Sequence, residues 1–398
     1  MKTAIVGGGA AGFFLAINLK EQCPQMDVTI FERSSHVLRK VKVSGGGRCN
    51  CTNTFADVRD LSAVYPRGHR LMKRLMKGFD QHDAYAWFES HGVPLTEQID
   101  QCVFPAAQDS QVIIDCFLRY CHRLGIRLCL NSIITDLGAL SDFDFIVLTT
   151  GGQPRIENLK WLADMGHEIV PPVPSLFTFS IQDQALHNLM GTVVEQTTVY
   201  IPATNYRASG PLLITHWGVS GPAILKLSSY AARYLADSSY QVPLAINWTG
   251  LNEEEVRQEL QALFAVHPKK QLSSLRPFDL PTRLWAYLLA KEEIPPSLTS
   301  DSLPKKTLNR LVNLLTADNY AIASRAPFKD EFVTCGGIAL SSVNSGTLES
   351  KHRPGLFFAG ELLDIDGVTG GFNFQAAWTT AYTVAQAIAK SFLSEKNM

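Results

Sequence analysis

The sequence lacks a surplus of charge of either sign. Among its 398 residues, 36 lysines and arginines are balanced by 37 aspartates and glutamates, so the formal net charge is -1. Proteins whose main partner is a nucleic acid or an anionic membrane usually carry a clear positive excess. We therefore expect no nucleic acid and no membrane as partner, and a small molecule as substrate.

Long hydrophobic runs are also missing. The nearest candidate, residues 372–389, is uncharged but contains asparagine, glutamine and threonine, which is typical of a buried helix. Met1 leads directly into an apolar strand pattern, so we expect no secretory leader. These features favour a cytoplasmic protein.

Cysteine occurs without the spacing of a disulfide framework or a metal motif. Of eight cysteines, only Cys49 and Cys51 lie close together, and no second pair or histidine cluster completes a zinc site. We expect reduced thiols and no bound metal. A redox role for Cys49 or Cys51 is the alternative.

What the sequence does contain is a dinucleotide-binding fingerprint at its start. A β-branched strand pattern over 3–6 leads into Gly-Gly-Gly-Ala-Ala-Gly and then into a helix pattern. The first glycine permits a tight turn, the second lets a pyrophosphate approach the backbone, and the last lets the helix pack on the strand. A second strand pattern ends in Glu32, which suits the ribose hydroxyls. The residues predicted to surround the pyrophosphate are Gly7, Gly9, Ala10, Ala11 and Gly12.

Two later glycine turns are expected at the same edge of the sheet, because ligands of such folds bind outside the carboxyl ends of the strands. One follows an apolar strand over 143–148, and the other follows a strand over 355–359 and precedes the last helix. The amino end of that helix would stabilise the charge that develops on a reduced flavin. A protein that binds only NAD does not need this third segment, so we predict FAD. The expected contacts are Thr150, Gly151 and Gly152, then Gly360 with Glu361 on the ribityl hydroxyls, and Gly371, Phe372 and Asn373 on the flavin pyrimidine.

The loop over residues 44–53 reads Ser-Gly-Gly-Gly-Arg-Cys-Asn-Cys-Thr-Asn. Consecutive glycines allow its backbone to lie against a flat ring, which assigns Ser44, Gly45 and Gly46 to the cofactor. Arg48 is a candidate for balancing charge on the reduced flavin, and Asn50 for bonding its polar edge. The alternative is a flexible surface loop.

Three charged or titratable side chains each have two alternative roles. Arg33 and Lys40 are expected near the adenine or the phosphates, with solvated surface positions as the alternative. His216 is the candidate acid or base, since histidine exchanges protons near neutral pH. A structural hydrogen-bonding role is the alternative for this residue.

These motifs resemble the BaiN-like, or YhiN-like, family of NAD(P)/FAD-dependent oxidoreductases. The resemblance covers essentially the whole chain and rests on residues 7–12, 44–53, 215–222, 347–351 and 358–373. It implies a discontinuous, Rossmann-like FAD-binding domain of α/β class with an inserted β-barrel-like domain, which itself carries a helical insert. Analogy with related flavoproteins also implies a backbone contact from Ile134 to the adenine. One departure is Thr379-Thr380, where the family usually has a pair of smaller residues.

The change of pattern along the chain gives the expected domain limits. Residues 1–190 and 334–398 are assigned to the FAD-binding domain, 191–252 and 318–333 to the barrel-like insert, and 253–317 to the helical insert.

The predicted function is FAD-dependent reduction of an unsaturated or carbonyl small molecule by hydride transfer. No second strand–GxGxxG–helix unit is present, so NADH or NADPH is expected to bind only transiently as reductant. The alternatives are an oxidase of a small amine or aminoketone that uses oxygen, and a flavin-binding sensor without catalysis.

Overall fold

The structure is a computed structural model that describes residues 1–325 and 333–396. The chain forms two compact units, one of Met1–Val173 with Val333–Met398 and the other of Pro174–Phe332. Within the described ranges, no helix combines the length and apolar character that a membrane crossing requires.

The elements follow in chain order. The strands are β1 (Lys2–Val6), β2 (Asp27–Phe31), β3 (Thr52–Asn53), β4 (Leu95–Glu97), β5 (Cys102–Pro105), β6 (Arg127–Cys129), β7 (Phe145–Leu148), β8 (Ile169–Ser175), β9 (Phe179–Ile181), β10 (Val193–Tyr200), β11 (Arg207–Thr215), β12 (Gly218–Ser220), β13 (Pro243–Asn247), β14 (Asp318–Arg325), β15 (Val333–Ile338) and β16 (Leu356–Phe358). The helices are α1 (Ala10–Gln22), α2 (Arg39–Val43), α3 (His69–Leu75), α4 (Gln81–Ser90), α5 (Gln111–Arg123), α6 (Lys160–Asp164), α7 (Gln184–His187), α8 (Pro222–Tyr230), α9 (Ala232–Asp237), α10 (Glu253–Val266), α11 (Thr282–Lys291), α12 (Lys305–Thr316) and α13 (Phe372–Lys396).

The first unit is built on a five-stranded parallel sheet in the order β16-β7-β1-β2-β6. In this sheet Ala4 of β1 lies between Thr29 of β2 and Ile146 of β7. The central strands are buried, which explains their continuous apolar sequences. The predicted Rossmann-type fold is confirmed, and its first and last segments meet because β16 pairs with β7.

The first and last long helices of this unit pack against each other. The ring of Phe14 in α1 lies 5.1 Å from that of Trp378 in α13 and 4.6 Å from that of Trp87 in α4. Aromatic pairs at such distances add to the burial of apolar area. This packing fixes the amino ends of α1 and α13 on one scaffold.

The second unit is a closed antiparallel barrel in the order β10-β11-β12-β9-β14-β13, as predicted for the insert. Helices α10, α11 and α12 lie between β13 and β14 in sequence and share the apolar core of this unit. Asp318, at the start of β14, is buried and accepts hydrogen bonds from Trp248 Nε1 at 3.0 Å and the Tyr320 hydroxyl at 2.7 Å.

The boundary between the units differs from the expected one. Residues 174–190 belong to the barrel unit and not to the FAD-binding unit, because β9 pairs with both β12 and β14. Only three residues form β9, too few for its alternation to reveal its sheet. Residues 326–332, within the range predicted to complete the barrel, lie outside the described residues.

Candidate functional site

The turn between β1 and α1 is tightly packed at Gly7 and Gly12 but open at Gly9. Gly7 has φ +120°, and a Cβ atom placed on it would collide with the carbonyl oxygen of Thr149. A Cβ on Gly12 would collide with the Gly7 carbonyl oxygen and lie 2.9 Å from Thr149 Oγ1. No atom lies within 4 Å of the Cβ position of Gly9. An anion can therefore approach Gly9, next to N–H groups of the first turn of α1 that have no partner within the helix.

Glu32 lies beside this turn. One of its carboxylate oxygens accepts the Gly8 N–H at 2.8 Å, and the other accepts the Ser34 N–H at 2.9 Å. The backbone carbonyl of Glu32 accepts the N–H of Ser132, two residues before Ile134. The structure thus places Glu32 and Ile134 in one neighbourhood, whereas Arg33 is an exposed side chain.

The two later glycine turns meet at a charged pair. Glu361 accepts a hydrogen bond from Lys40 Nζ at 2.6 Å and another from the Thr334 N–H at 2.9 Å. A Cβ on Gly152 would lie 2.8 Å from the Glu361 carboxylate, and a Cβ on Gly360 would lie 3.0 Å from that of Ala11. The segment Thr150–Gly152, the Gly360-Glu361 turn and the start of α1 therefore share one edge of the sheet.

The amino end of α13 is held by side chains that we expected on the flavin. Asn373 accepts the Gly367 N–H at 2.8 Å and donates to the Gly367 carbonyl at 2.9 Å. The Asn50 amide, oriented so that both of its groups are satisfied, donates to the Thr52 carbonyl at 2.8 Å and accepts the Gly371 N–H at 3.2 Å. Both side chains shape the turn, so the groups left for a ligand are the backbone N–H groups of the first turn of α13.

Phe372 opens this helix from a buried position. Its ring contacts those of Phe55 and Tyr65, with centroids 5.1 and 6.1 Å away, and its carbonyl accepts the Tyr65 hydroxyl at 2.8 Å. Gly371 has φ +90°, and a Cβ there would collide with the Thr52 carbonyl. The turn before α13 therefore packs directly on β3.

The glycine-rich loop forms a compact turn over Ser44–Gly47. Gly45 and Gly46 have φ +55° and +68°, and the Cβ position of Gly46 faces open space. Arg48 bends back, donating from Nε to the Gly45 carbonyl at 3.2 Å, with its guanidinium 4.2 Å from the centre of the Phe104 ring. The Ser44 hydroxyl donates to the Val41 carbonyl at 2.8 Å. This loop is ordered by its own contacts.

The neighbouring thiols are unsuited to redox work. Cys49 and Cys51 are fully buried. Burial raises the pKa of the Cys49 thiol to about 12 and raises the pKa of Cys51 well above its usual range. Because the thiolate is the reactive form, this burial disfavours a redox role for both side chains at neutral pH.

His216 lies in the other unit, on the turn between β11 and β12. Its ring is exposed and stands edge-on to that of Trp217, with the centroids 4.1 Å apart.

No group of metal-ligating side chains occurs among the residues that the structure describes.

Sequence reasoning missed an ion pair next to the α13 turn. Arg67 donates from Nε to Asp366 at 2.6 Å and from Nη2 to the other carboxylate oxygen, and Asp366 is fully buried. The two residues are 299 positions apart, and nothing in the local pattern of either one indicates the other.

The unusual threonines of α13 are explained by buried hydrogen bonds. Thr380 accepts the Gly360 N–H at 2.9 Å, and Thr379 donates to the Phe79 carbonyl at 2.9 Å. Gln375 accepts the Thr52 hydroxyl at 2.6 Å and donates to Thr379 at 3.0 Å. Polar groups that a smaller residue would leave unsatisfied are therefore paired.

Known proteins match this chain over nearly its whole length. The family model described as HI0933-like protein Rossmann domain matches residues 1–387.

Two relatives are named ribosomal RNA dihydrouridine synthase. The one from Escherichia coli (strain K12) is 28% identical over 403 residues, which cover 96% of this chain and 96% of the relative. The one from Haemophilus influenzae is 26% identical over 410 residues, with 97% and 98% covered. A relative from Clostridium scindens, named 3-dehydro-bile acid delta(4,6)-reductase, is 23% identical over 412 residues, with 98% and 99% covered.

Proposed function

The chain belongs to the HI0933-like family of FAD-dependent oxidoreductases, and we propose that it is a reductase of a carbon–carbon double bond conjugated to a carbonyl group. The family indicated by the sequence motifs is confirmed. The acceptor and the reductant are our proposals, and we take NADH or NADPH as the reductant.

One observation carries the choice of acceptor. The names of the three relatives describe two reactions, formation of dihydrouridine and reduction of a dehydro-bile acid. Uridine becomes dihydrouridine by the addition of two hydrogens across a double bond that is conjugated to a ring carbonyl. A 3-oxo steroid with unsaturation at positions 4 and 6 presents the same arrangement. The shared chemical change is hydride addition to an electron-poor carbon followed by protonation of its neighbour.

The residues of the first unit fit FAD. The space beside Gly9 and the start of α1 would accept the pyrophosphate, and Glu32 would accept the adenosine ribose hydroxyls. Lys40 and Glu361 would contact the phosphates and the ribityl hydroxyls. The first N–H groups of α13 would face the flavin pyrimidine. When bound, FAD supplies the two-electron chemistry that no side chain provides.

We assign the remaining catalytic tasks to two residues. Arg48 is our candidate for offsetting negative charge near the flavin, since its guanidinium stays charged at any working pH. His216 is our candidate for the proton that accompanies the hydride.

Anaerobic half-reactions test this proposal. NADH or NADPH should bleach the yellow absorbance of the purified protein. A 3-oxo-Δ4,6 bile acid or a uridine-containing RNA should restore it, and mass spectrometry should find two added hydrogens in the product. Bleaching only by an amine or aminoketone, with peroxide formed on admission of air, would instead establish an oxidase. If no donor reduces the flavin, the remaining alternative is a flavin-binding sensor without catalysis.

A further inference from the structure

One short stretch of the first unit has a strong local charge. Residues 59–77 contain six lysines and arginines but a single aspartate, in a chain whose net charge is -1. Four of the basic residues are Arg70, Lys73 and Arg74 of α3 and Lys77, which lies two residues beyond the end of this helix; the last three follow Arg70 by three, four and seven positions. This spacing places them on one side of a helix. We call these four residues the basic face.

The basic face points to solvent. All four of its side chains are exposed, whereas Leu71, Met72 and Leu75 on the other side of α3 are buried. Arg74 donates to the Ser345 hydroxyl at 2.7 Å. The pKa of exposed Asp60 is lowered by hydrogen bonds from the Ser62 N–H and hydroxyl, with a smaller contribution from Lys73. Among the described residues, no carboxylate lies within ion-pair distance of any of the four. By contrast, Lys40 and Lys269 each have an acidic partner at 2.6 Å.

The basic face starts next to the turn that precedes α13. Arg67, three residues before Arg70, is paired with buried Asp366. Gly68 packs so closely on Ile365 that a Cβ there would lie 2.7 Å from that side chain. Since a helix rises about 1.5 Å per residue, the seven residues of α3 span about 10 Å, and the basic face begins close to Arg67. The face is thus fixed to the same scaffold as the candidate flavin site.

We propose that the basic face binds the phosphodiester backbone of an RNA strand whose uracil base is the acceptor. This inference rests on the proposed function, because it names the kind of molecule that carries the reducible double bond. Several unpaired cations on one helix side complement a chain of regularly spaced phosphates. Phosphate contacts position a strand, while the base is bound elsewhere. The balanced net charge, from which we expected no nucleic acid, conceals this local excess.

RNA-binding measurements on the FAD-loaded protein test the proposal. Fluorescence anisotropy would follow a labelled uridine-rich single-stranded RNA over a series of salt concentrations. Each phosphate contact to a single strand contributes a slope of about 0.7 in log K against log salt, which is about 5-fold in affinity at 0.1 M salt. The variant R70Q/K73Q/R74Q/K77Q should lose up to four such contacts. K73Q/K77Q keeps the hydrogen bond that Arg74 donates to Ser345, and it should bind about 25-fold more weakly than the wild type.

The matched control is K305Q/K306Q, which removes two exposed lysines of α12 in the other unit. It should bind RNA like the wild type. Reduction of the flavin by NADPH and reduction of a free 3-oxo-Δ4,6 bile acid should be the same in every variant, because neither requires the basic face.

Three results would overturn the assignment. The variants could bind RNA as tightly as the control. Loss of the basic face could weaken binding to phosphatidylserine vesicles while RNA binding is unchanged. It could also raise the KM for NADPH while RNA binding is unchanged. RNA binding could depend on the basic face while the wild type reduces no unsaturated acceptor. That result would contradict the proposed reductase function but would support the basic face as an RNA-binding surface.

Discussion

Glu361 lies 2.6 Å from Lys40, although the two residues are 321 positions apart in the chain. Lys40 belongs to the segment after β2, and Glu361 follows β16, so the pair spans the edge of the sheet from one end of the sequence to the other. The carboxylate stands beside the expected path of a pyrophosphate, where an uncompensated negative charge would repel the ligand. We propose that the lysine offsets that repulsion.

Replacing Lys40 by methionine should therefore weaken FAD binding. Because the side chain of Lys40 is 54% exposed, we expect a loss of about 1 kcal/mol, or roughly five-fold in Kd. Titration of the apoprotein with FAD, followed by flavin fluorescence, measures this change in Kd. Lys42→Met is the control, since Lys42 is equally exposed and lies 4.0 Å from Asp109. Equal affinities of the two variants would contradict this role for Lys40.

Substitutions of the glycines in the first turn should distinguish an effect on folding from an effect on cofactor binding. Gly9→Ala adds a methyl group where no protein atom lies within 4 Å, so the stability of the apoprotein should hardly change. The same methyl group occupies the space expected for the pyrophosphate, and FAD affinity should fall by roughly ten-fold or more. Thermal melting with and without FAD shows both effects: the variant should keep the apoprotein Tm and lose the rise that FAD causes.

Gly12→Ala is the counterpart. Its methyl group would collide with the Gly7 carbonyl, so this variant should lose about 3 kcal/mol of stability even without cofactor. If Gly9→Ala and Gly12→Ala behave alike in the absence of FAD, the open space at Gly9 is not a ligand site.

These glycine contacts were predictable because the turn is local. Strand, glycines and helix follow one another within a dozen residues, and each glycine has a steric task that its spacing reveals. The meeting of the chain ends was predictable for a related reason, since parallel strands place their carboxyl ends together. Gly360 and Glu361 could be placed at the same edge of the sheet as the first turn without knowing the side chains around them.

Contacts between distant side chains were not predictable. The motif containing Asn373 was recognised, but its amide is occupied by Gly367, and whether an amide bonds protein or ligand depends on a turn only six residues long. The local pattern around Asp366 likewise indicates no ion pair. Its partner Arg67 comes from a loop that packs there because Tyr65 and Gly68 contact the same turn.

The Arg67–Asp366 pair should be important for stability. Asp366 is fully buried, so Arg67→Met would remove the cation paired with a buried carboxylate, at a cost of about 3–5 kcal/mol. The double variant Arg67→Met/Asp366→Leu should regain part of this loss, because it leaves no buried charge. Urea denaturation of the single and double variants measures the difference.

Lys269→Met provides the comparison for that experiment. Lys269 is also paired with an aspartate at 2.6 Å, but its side chain is 86% exposed, and we expect no measurable change in stability. A loss for Lys269→Met as large as for Arg67→Met would show that burial does not determine the effect.

The buried thiol of Cys49 makes stability depend on pH in the alkaline range. Its pKa is about 12 in the folded protein against 9.0 for an ordinary thiol. Below pH 9 both states hold the proton, whereas above pH 9 the unfolded chain releases it and the folded chain retains it. The stability contributed by this thiol is thus complete below pH 9 and is lost as the pH rises towards 12.

The advantage of the wild type over Cys49→Ala should accordingly shrink above pH 9, by up to about 1.4 kcal/mol per pH unit. Urea denaturation at pH 8, 9 and 10 tests this, with Cys129→Ala, whose thiol is only half-buried, as the control. A constant difference between wild type and Cys49→Ala over this range would show that the thiol ionises equally well in both states.

His216 can be tested by separating the two half-reactions. If it donates the proton to the acceptor, His216→Gln should slow acceptor reduction by roughly 100-fold while bleaching by NAD(P)H keeps its rate. His267→Gln changes another exposed histidine of the same unit and should leave both half-reactions intact. An unchanged acceptor rate in His216→Gln would assign the proton to water, and the exposed ring beside Trp217 would then be structural.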